Sequence, residues 1–255
     1  MERLEKDYPG RTWQATGKSD PRRIRTGIFN IDRLLGGGLP VNRLTLLYGK
    51  ESTYKTTTAL KIIRNLLQRC GQCFLPYEVC TCLTPDDSTI GVLIDIDHGF
   101  EEKYITNLGI DPKRIYVHSP SHGEAACEVA KEFASVPEVR GIIVDTLANM
   151  ISIGTLEKGF VDGIARGERA ALINRMIRSL IVLLDSEIPR VGIMINHPMP
   201  KVDGRVGSYL PGGETQTKAS SVIIQFWTLA KSKSEITVEK ELKDDLLLRR
   251  QEIGF

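Results

Sequence analysis

Two groups of residues have types and spacings suited to chemistry. The first is Gly49-Lys50-Glu51-Ser52-Thr53-Tyr54-Lys55-Thr56-Thr57. The apolar, β-prone Leu44 to Leu47 leads into it, and the helix-forming Ala59-Leu60-Lys61-Ile62-Ile63 follows. Strand, loop, helix is the setting that a phosphate-binding loop requires. The amides of a helix's first turn lack intrahelical partners, and a phosphate can satisfy them. Lys55 would add a point charge, and the Thr56 hydroxyl suits magnesium. Tyr54 occupies the second glycine position of G-x-x-x-x-G-K-[ST]. A bulky residue is a poor choice where the backbone needs unusual dihedrals. On this stretch alone, the alternative is a plain strand-turn-helix with a lysine at its start.

The second group is Cys70, Cys73, Cys80 and Cys82, spaced C-x2-C and C-x-C within the irregular segment 70–88, which Pro76 and Pro85 interrupt. Four thiolates in a short segment suit one tetrahedral structural Zn2+. Reduced thiols in a surface insertion are the alternative. Cys127 lies in a helical pattern and reads as packing.

The elements that must position these groups follow from periodicity. Gly91 to Ile96 is apolar apart from Asp95, Gly141 to Val144 and Val191 to Ile195 are continuously apolar, and helical patterns alternate with them. Continuous apolar strands between helices imply an α/β fold with a mostly parallel twisted sheet covered on both faces. In the longest helical pattern, Ile173, Met176, Ile177, Leu180, Ile181 and Leu184 recur at three-four spacing. Ligands of such sheets sit at the carboxyl ends of strands. Asp97 follows one strand run there and Asp145 another, the latter in the pattern of a magnesium-holding carboxylate. A helix N-cap is the other reading of Asp97.

Composition narrows the class. The 255 residues are 41% hydrophobic and 26% charged, with a net charge of +2. This is ordinary for a soluble globular chain, and no global charge argues for nucleic acid. There is no apolar run of spanning length and no signal-peptide pattern, so the expectation is cytoplasmic with no membrane partner. Residues 1–25 read as an N-terminal arm, basic toward its end, and 26–255 as one core. Residues 149–169 and 197–218 read as glycine-punctuated loops, and the chain after Lys231 gives no clear pattern.

Taken together, these motifs resemble the ATPase core of the RecA family of strand-exchange recombinases. Thr26-Gly27-Ile28-Phe29-Asn30-Ile31-Asp32 and Leu34-Leu35-Gly36-Gly37-Gly38-Leu39-Pro40 are similar to S-T-G-x-x-x-L-D and L-G-G-G-x-P. The Gly49 to Thr57 stretch is similar to G-P-E-S-S-G-K-T-T, and Ile94-Asp95-Ile96-Asp97-His98 to I-D-A-E-H. Gly141 to Thr146 resembles V-I-V-V-D-S, and Ile195-Asn196-His197 resembles I-N-Q. Pro211-Gly212-Gly213 with Ala219-Ser220 resembles the second DNA loop.

The resemblance implies a RecA-like P-loop NTPase core with a Cys-rich insertion at 70–88. It implies ATP and Mg2+ bound by Gly49 to Thr57, with Thr56 and Asp145 on the metal. Asp97 would stand where the family has a water-activating Glu, and His197 where it has a γ-phosphate-sensing Gln. Glu101 and Tyr104 would flank the adenine. Residues 149–169 and 197–218 would be DNA-binding loops, carrying Lys158, Arg166, Arg169, Lys201, Arg205 and Lys218. The implied activity is a DNA-dependent ATPase that forms filaments on single-stranded DNA and promotes pairing and exchange with double-stranded DNA. Tyr54 has an aromatic counterpart in T4-type phage recombinases. With Asp97 and His197 it bears on hydrolysis rate more than on binding. The compact form suggests a phage or mobile-element protein working in a host's cytoplasm. Two alternatives stand beside this one: a catalytically weak paralogue that loads or regulates another recombinase, and a hexameric helicase-like motor assembled as a ring.

Overall fold

The structure, a computed structural model, describes residues 22–158, 166–201, 207–230, 233–240 and 249–253. Its frame is an eight-stranded sheet. The strands are β1 (Leu44–Gly49), β2 (Ile90–Asp95), β3 (Ile115–His118), β4 (Val139–Asp145), β5 (Val191–Asn196), β6 (Ser220–Ala230), β7 (Lys233–Lys240) and β8 (Arg249–Ile253). Their order across the sheet is β8-β7-β6-β1-β5-β4-β2-β3. The six strands β6 through β3 are parallel, and β7 and β8 add antiparallel pairs at one edge. The helices are α1 (Phe29–Leu34), α2 (Lys55–Leu67), α3 (Glu102–Asn107), α4 (Gly123–Ala134), α5 (Ile153–Lys158), α6 (Arg166–Leu184) and α7 (Thr215–Ala219).

Side chains alternate across a strand, so each apolar strand feeds two cores. Leu47, Ile143, Ile193 and Ile195 pack with Ala59, Ile62, Ile63 and Leu66 of α2. Their neighbours Leu46, Ile142, Val144 and Met194 pack on the opposite face with Ala126, Cys127 and Ala130 of α4 and Ile173, Met176, Ile177 and Leu180 of α6. Fully burying each such aliphatic side chain contributes about 1.5–3 kcal/mol. The two clusters therefore fix α2 and α6 on opposite faces. Cys127 is wholly buried among them, as packing requires.

Several boundaries differ from the periodicity. Arg23–Ile24 pairs with Leu39–Pro40, and Ile24 is fully buried, so the end of the arm belongs to the core. Residues 1–21 lie outside the described residues. The 149–169 stretch contains α5 and the start of α6 as well as loop. The 197–218 stretch contains a two-strand ribbon, Met199–Pro200 with Ser208–Tyr209, and α7. Beyond Lys231 the chain forms β7 and β8, and the charged sequence of β8 suits the edge it occupies. Among the described residues, no helix is long and apolar enough to cross a membrane.

Candidate nucleotide-binding site

β1 ends at Gly49 against β6, where a side chain would collide with the Phe226 carbonyl oxygen. The loop from Lys50 to Tyr54 then turns into α2. Ser52 and Tyr54 both take left-handed conformations, with φ of 57° and 65°. Such a conformation costs an L-residue roughly 1–2 kcal/mol. Tyr54 thus adopts the backbone that glycine would take in the motif, with its ring about half exposed. No side chain caps α2, and its first intrahelical bond runs from the Thr58 amide to the Tyr54 carbonyl. The amides of the first turn precede that bond and face the loop, an arrangement suited to anions.

The Lys55 ammonium is buried within the loop. It donates to the Lys50 carbonyl at 2.6 Å and lies 3.5 Å from Thr53 Oγ1. Burial lowers its pKa, and Asp145, Glu51 and Asp97 oppose that shift. Thr56 Oγ1 donates to Asp145 Oδ2 at 2.5 Å, so the first turn of α2 meets the carboxyl end of β4. Burial pushes the Asp145 carboxyl up to about 6, against the lowering effect of the Thr56 hydrogen bond. A hydroxyl and a carboxylate oxygen converging in a desolvated cleft are hard oxygen donors of the kind magnesium takes. The raised Asp145 pKa reflects desolvation first, with Asp97 and Asp95 adding to it, and a bound cation would favour the charged form.

Thr56, Asp95, Asp97, Phe100, Glu101, Tyr104 and Asp145 line a cavity of about 350 Å³. That size falls in the range of small-molecule sites. Tyr104 hydroxyl meets Thr57 Oγ1, and its ring packs edge-on to Phe100. Asp97 is exposed at the rim, and its Oδ1 accepts from Asn149 Nδ2 at 2.8 Å. Partial desolvation raises its pKa, while Asn149 and His197 pull it down. Asp97 does not cap α3, which starts at Glu102 behind an N-cap at Glu101. Buried Asp95 instead accepts from the Phe100 amide at 3.1 Å and orders the turn before α3.

His197 follows β5 and is half-buried; desolvation lowers its pKa. Glu51 and Asp97 oppose that shift, and Lys55 and Arg169 add to it. Behind it, Asn196 Nδ2 donates to Gln216 Oε1 at 2.7 Å and to the Pro211 carbonyl at 3.0 Å. Asn196 Oδ1 accepts from the His197 amide. Asn196 and Gln216 are fully buried, so this network fixes the return of the 197–218 segment to β6. Asn149, Asp95 and Gln216 were not singled out by motif. A second carboxylate two residues before Asp97 and a glutamine between Gly213 and Ser220 were the available signals.

The basic residues of the two segments are not all on loops. Arg169 lies on α6 with Nη1 3.1 Å from Met199 Sδ. Lys218 lies on α7 and pairs with Glu214 at 2.7 Å. Lys201 is exposed. The side chains of Lys158 and Arg166, and all of Arg205, lie outside the described residues.

Protein RecA of Aquifex pyrophilus is 28% identical over 193 residues, 71% of this chain and 50% of the relative. Protein RecA of Macrococcus caseolyticus is 24% identical over 254 residues, 94% of this chain and 67% of the relative. The chain thus spans half to two thirds of these two relatives. The family model of the RecA N-terminal domain matches residues 1–243, and the chain belongs to that family.

Proposed function

We propose that this chain is a DNA-dependent ATPase of the recombinase type, which assembles on single-stranded DNA and pairs it with a homologous duplex. The observation that carries the reading is the meeting of Thr56 and Asp145 beneath an uncapped helix start that also holds Lys55. In this reading, the loop Gly49 to Thr57 receives the phosphates of ATP. The first-turn amides of α2 donate to them, and Lys55 gives up its Lys50 carbonyl partner to bind phosphate oxygen. Thr56 and Asp145 would hold Mg2+, which supplies charge neutralisation at the phosphates when bound. Asp97, aligned by Asn149, takes a proton from the attacking water. Glu101 and Tyr104 wall the base side of the cavity.

The DNA link rests on topology. Residues 149–169 and 197–218 follow β4 and β5, which are neighbours in the sheet. His197 begins the second segment within electrostatic reach of Lys55 and Asp97. A change of charge at the phosphates therefore acts on His197, and the Asn196–Gln216 network carries a shift of β5 to the returning segment. Lys158, Arg166, Arg169, Lys201 and Arg205 would track the DNA backbone, with strong salt dependence and little sequence preference. Lys218 would first have to leave Glu214. In this division, residues 26–255 are the ATPase core, joined by Arg23–Ile24 at the end of the arm. The cysteine cluster plays no part in the nucleotide chemistry.

The test is ATP hydrolysis with and without single-stranded DNA, followed by electron microscopy of the protein with both. Stimulated turnover with helical filaments and strand exchange is the expected result. Rings would favour the helicase-like motor. Filaments without turnover would favour the paralogue that regulates another recombinase.

A further inference from the structure

Away from the nucleotide cleft, ligating atoms concentrate at the far end of α2. The Sγ atoms of Cys70, Cys73, Cys80 and Cys82 all lie within 4.8 Å of one another. Cys73 and Cys80 are 3.4 Å apart, and Cys70 and Cys82 are 3.9 Å apart. A disulfide requires about 2.05 Å. Thiolates about 2.3 Å from a zinc ion, at the corners of a tetrahedron, are about 3.8 Å from each other. The spread of sulfurs matches one ion and is too small for a multi-iron cluster. They arrive from separate places. Cys70 and Cys73 follow α2, and Cys80 and Cys82 follow the 3-10 turn Tyr77–Val79.

A second observation is independent of the sulfurs: the segment has little apolar packing to hold it in one shape. Phe74 reaches the core, but Leu75, Val79 and Leu83 are 43%, 58% and 104% exposed. Apolar burial therefore does not order residues 75–83. Backbone bonds do fix the first part. The Cys70 amide donates to the Leu75 carbonyl, the Phe74 amide to the Cys70 carbonyl, and the Gly71 amide to the Asp86 carbonyl. The Asp86 amide donates to Cys70 Sγ at 3.4 Å, a donor aimed at a sulfur. A side chain at position 71 would displace the Asp86 carboxylate from its place beside Gly71.

We infer that Cys70, Cys73, Cys80 and Cys82 hold one structural zinc ion that closes the end of α2. With four protein ligands the shell is complete, so the site has no position for substrate. It stands apart from phosphate chemistry, because the 13 residues of α2 separate it from Lys55 by about 20 Å. Its mechanical connection is to the sheet. The Gly71 carbonyl accepts from Arg140 Nη2 at 2.8 Å, and Arg140 belongs to β4. Arg114 ties the same region to the start of β2 through the Thr89 carbonyl and the Tyr77 hydroxyl. Zinc would therefore order the insertion and fasten it to the amino ends of the strands whose carboxyl ends carry Asp95 and Asp145.

The inference does not depend on recombinase activity, and neither does its test. Full-length protein prepared without chelator should contain about one zinc per chain. Exchange with cobalt(II) should give the intense visible absorption of a tetrahedral thiolate site. Cys73→Ser should lose the metal, whereas Cys127→Ser should keep it. If Cys73→Ser does not fold, the metal content and cobalt spectrum of the parent decide the matter. Chelation should speed amide exchange in 70–88 and leave the amides around Lys55 unchanged. Protein free of zinc with reactive thiols, a mass showing two disulfides, or iron in the site would each overturn the inference.

Discussion

Helix α2 starts at Lys55 among strained backbone and desolvated acids, and it ends at Leu67 next to four converging sulfurs. The two ends meet their unsatisfied groups differently. At the start, Tyr54 sits in a left-handed conformation, Lys55 is buried on a backbone carbonyl, and Asp145 keeps a carboxyl pushed up to about 6. These features oppose folding when no ligand is present. At the end, backbone bonds and Arg140 join the insertion to the sheet, and the sulfurs oppose one another across a space of ion size. One end tolerates instability that a reversible ligand would relieve. The other is arranged for a ligand that stays. Local rules broken without compensation inside the protein mark the first kind of site.

The largest effect expected at the start of α2 is that of Lys55→Ala. Losing a charged donor to phosphate should weaken ATP binding by about 10- to 100-fold, with loss of nucleotide-dependent DNA binding. Metal content and melting temperature should stay near the parent's, because the cysteine end and both cores are untouched. Fluorescent-nucleotide titration checks the first point. Unchanged affinity would sink the phosphate-loop assignment.

Asp97→Asn should cut turnover by about 100-fold or more while ATP binding persists, since an amide cannot take the proton. Single-turnover hydrolysis measures this. Parent-rate turnover would reduce Asp97 to a group that orients Asn149.

The next effect concerns stability without ligand. Asp145 has a folded pKa of about 6, above the usual value for a free aspartate. In the window between those values the native state binds more protons than the unfolded state, so stability rises as pH falls. In protein free of nucleotide and magnesium, the carboxylate should therefore oppose folding above pH 6, by about 3 kcal/mol. Asp145→Asn should remove that dependence and be more stable at pH 7, while losing any stabilisation by magnesium. Urea melts across this pH range would decide it. An Asn variant less stable than the parent at pH 7 contradicts the account of a desolvated cleft.

The same contrast explains what sequence could and could not convey. The strands of the parallel sheet were legible because burial on both faces leaves unbroken apolar runs such as Val191 to Ile195. Strands β7 and β8 were not, because charged residues such as those of Lys233 to Lys240 and Arg249 to Ile253 hide the apolar runs by which the parallel strands are recognised. α5 is too short to display a period. Lys55, Thr56 and Asp145 were legible through local context on strand and helix. Asn149 and Gln216 were not, since each acts through a partner 52 or 20 residues away that only the fold supplies. For the cysteines, spacing suggested a ligand set, and the fold supplied their convergence on one point.

The smallest effect tests the strain at Tyr54. Left-handed backbone costs an L-residue about 1–2 kcal/mol, and glycine avoids that cost. Glycine also gives up about 0.5–1 kcal/mol through the greater freedom of its unfolded chain. The ring is about half exposed, so its removal forfeits modest packing. The difference favours Tyr54→Gly by about 0.5 kcal/mol, which is a rise of roughly 1–2 °C in melting temperature for a chain of this size. Nucleotide affinity should hold or improve, because the loop geometry is the one glycine adopts freely. Calorimetry and nucleotide titration on the same variant separate two explanations. If stability rises and binding is kept, the tyrosine is strain carried by the phosphate loop. If stability rises and binding is lost, the ring itself takes part in holding the nucleotide, and the start of α2 contains one more ligand-facing group than its backbone reveals.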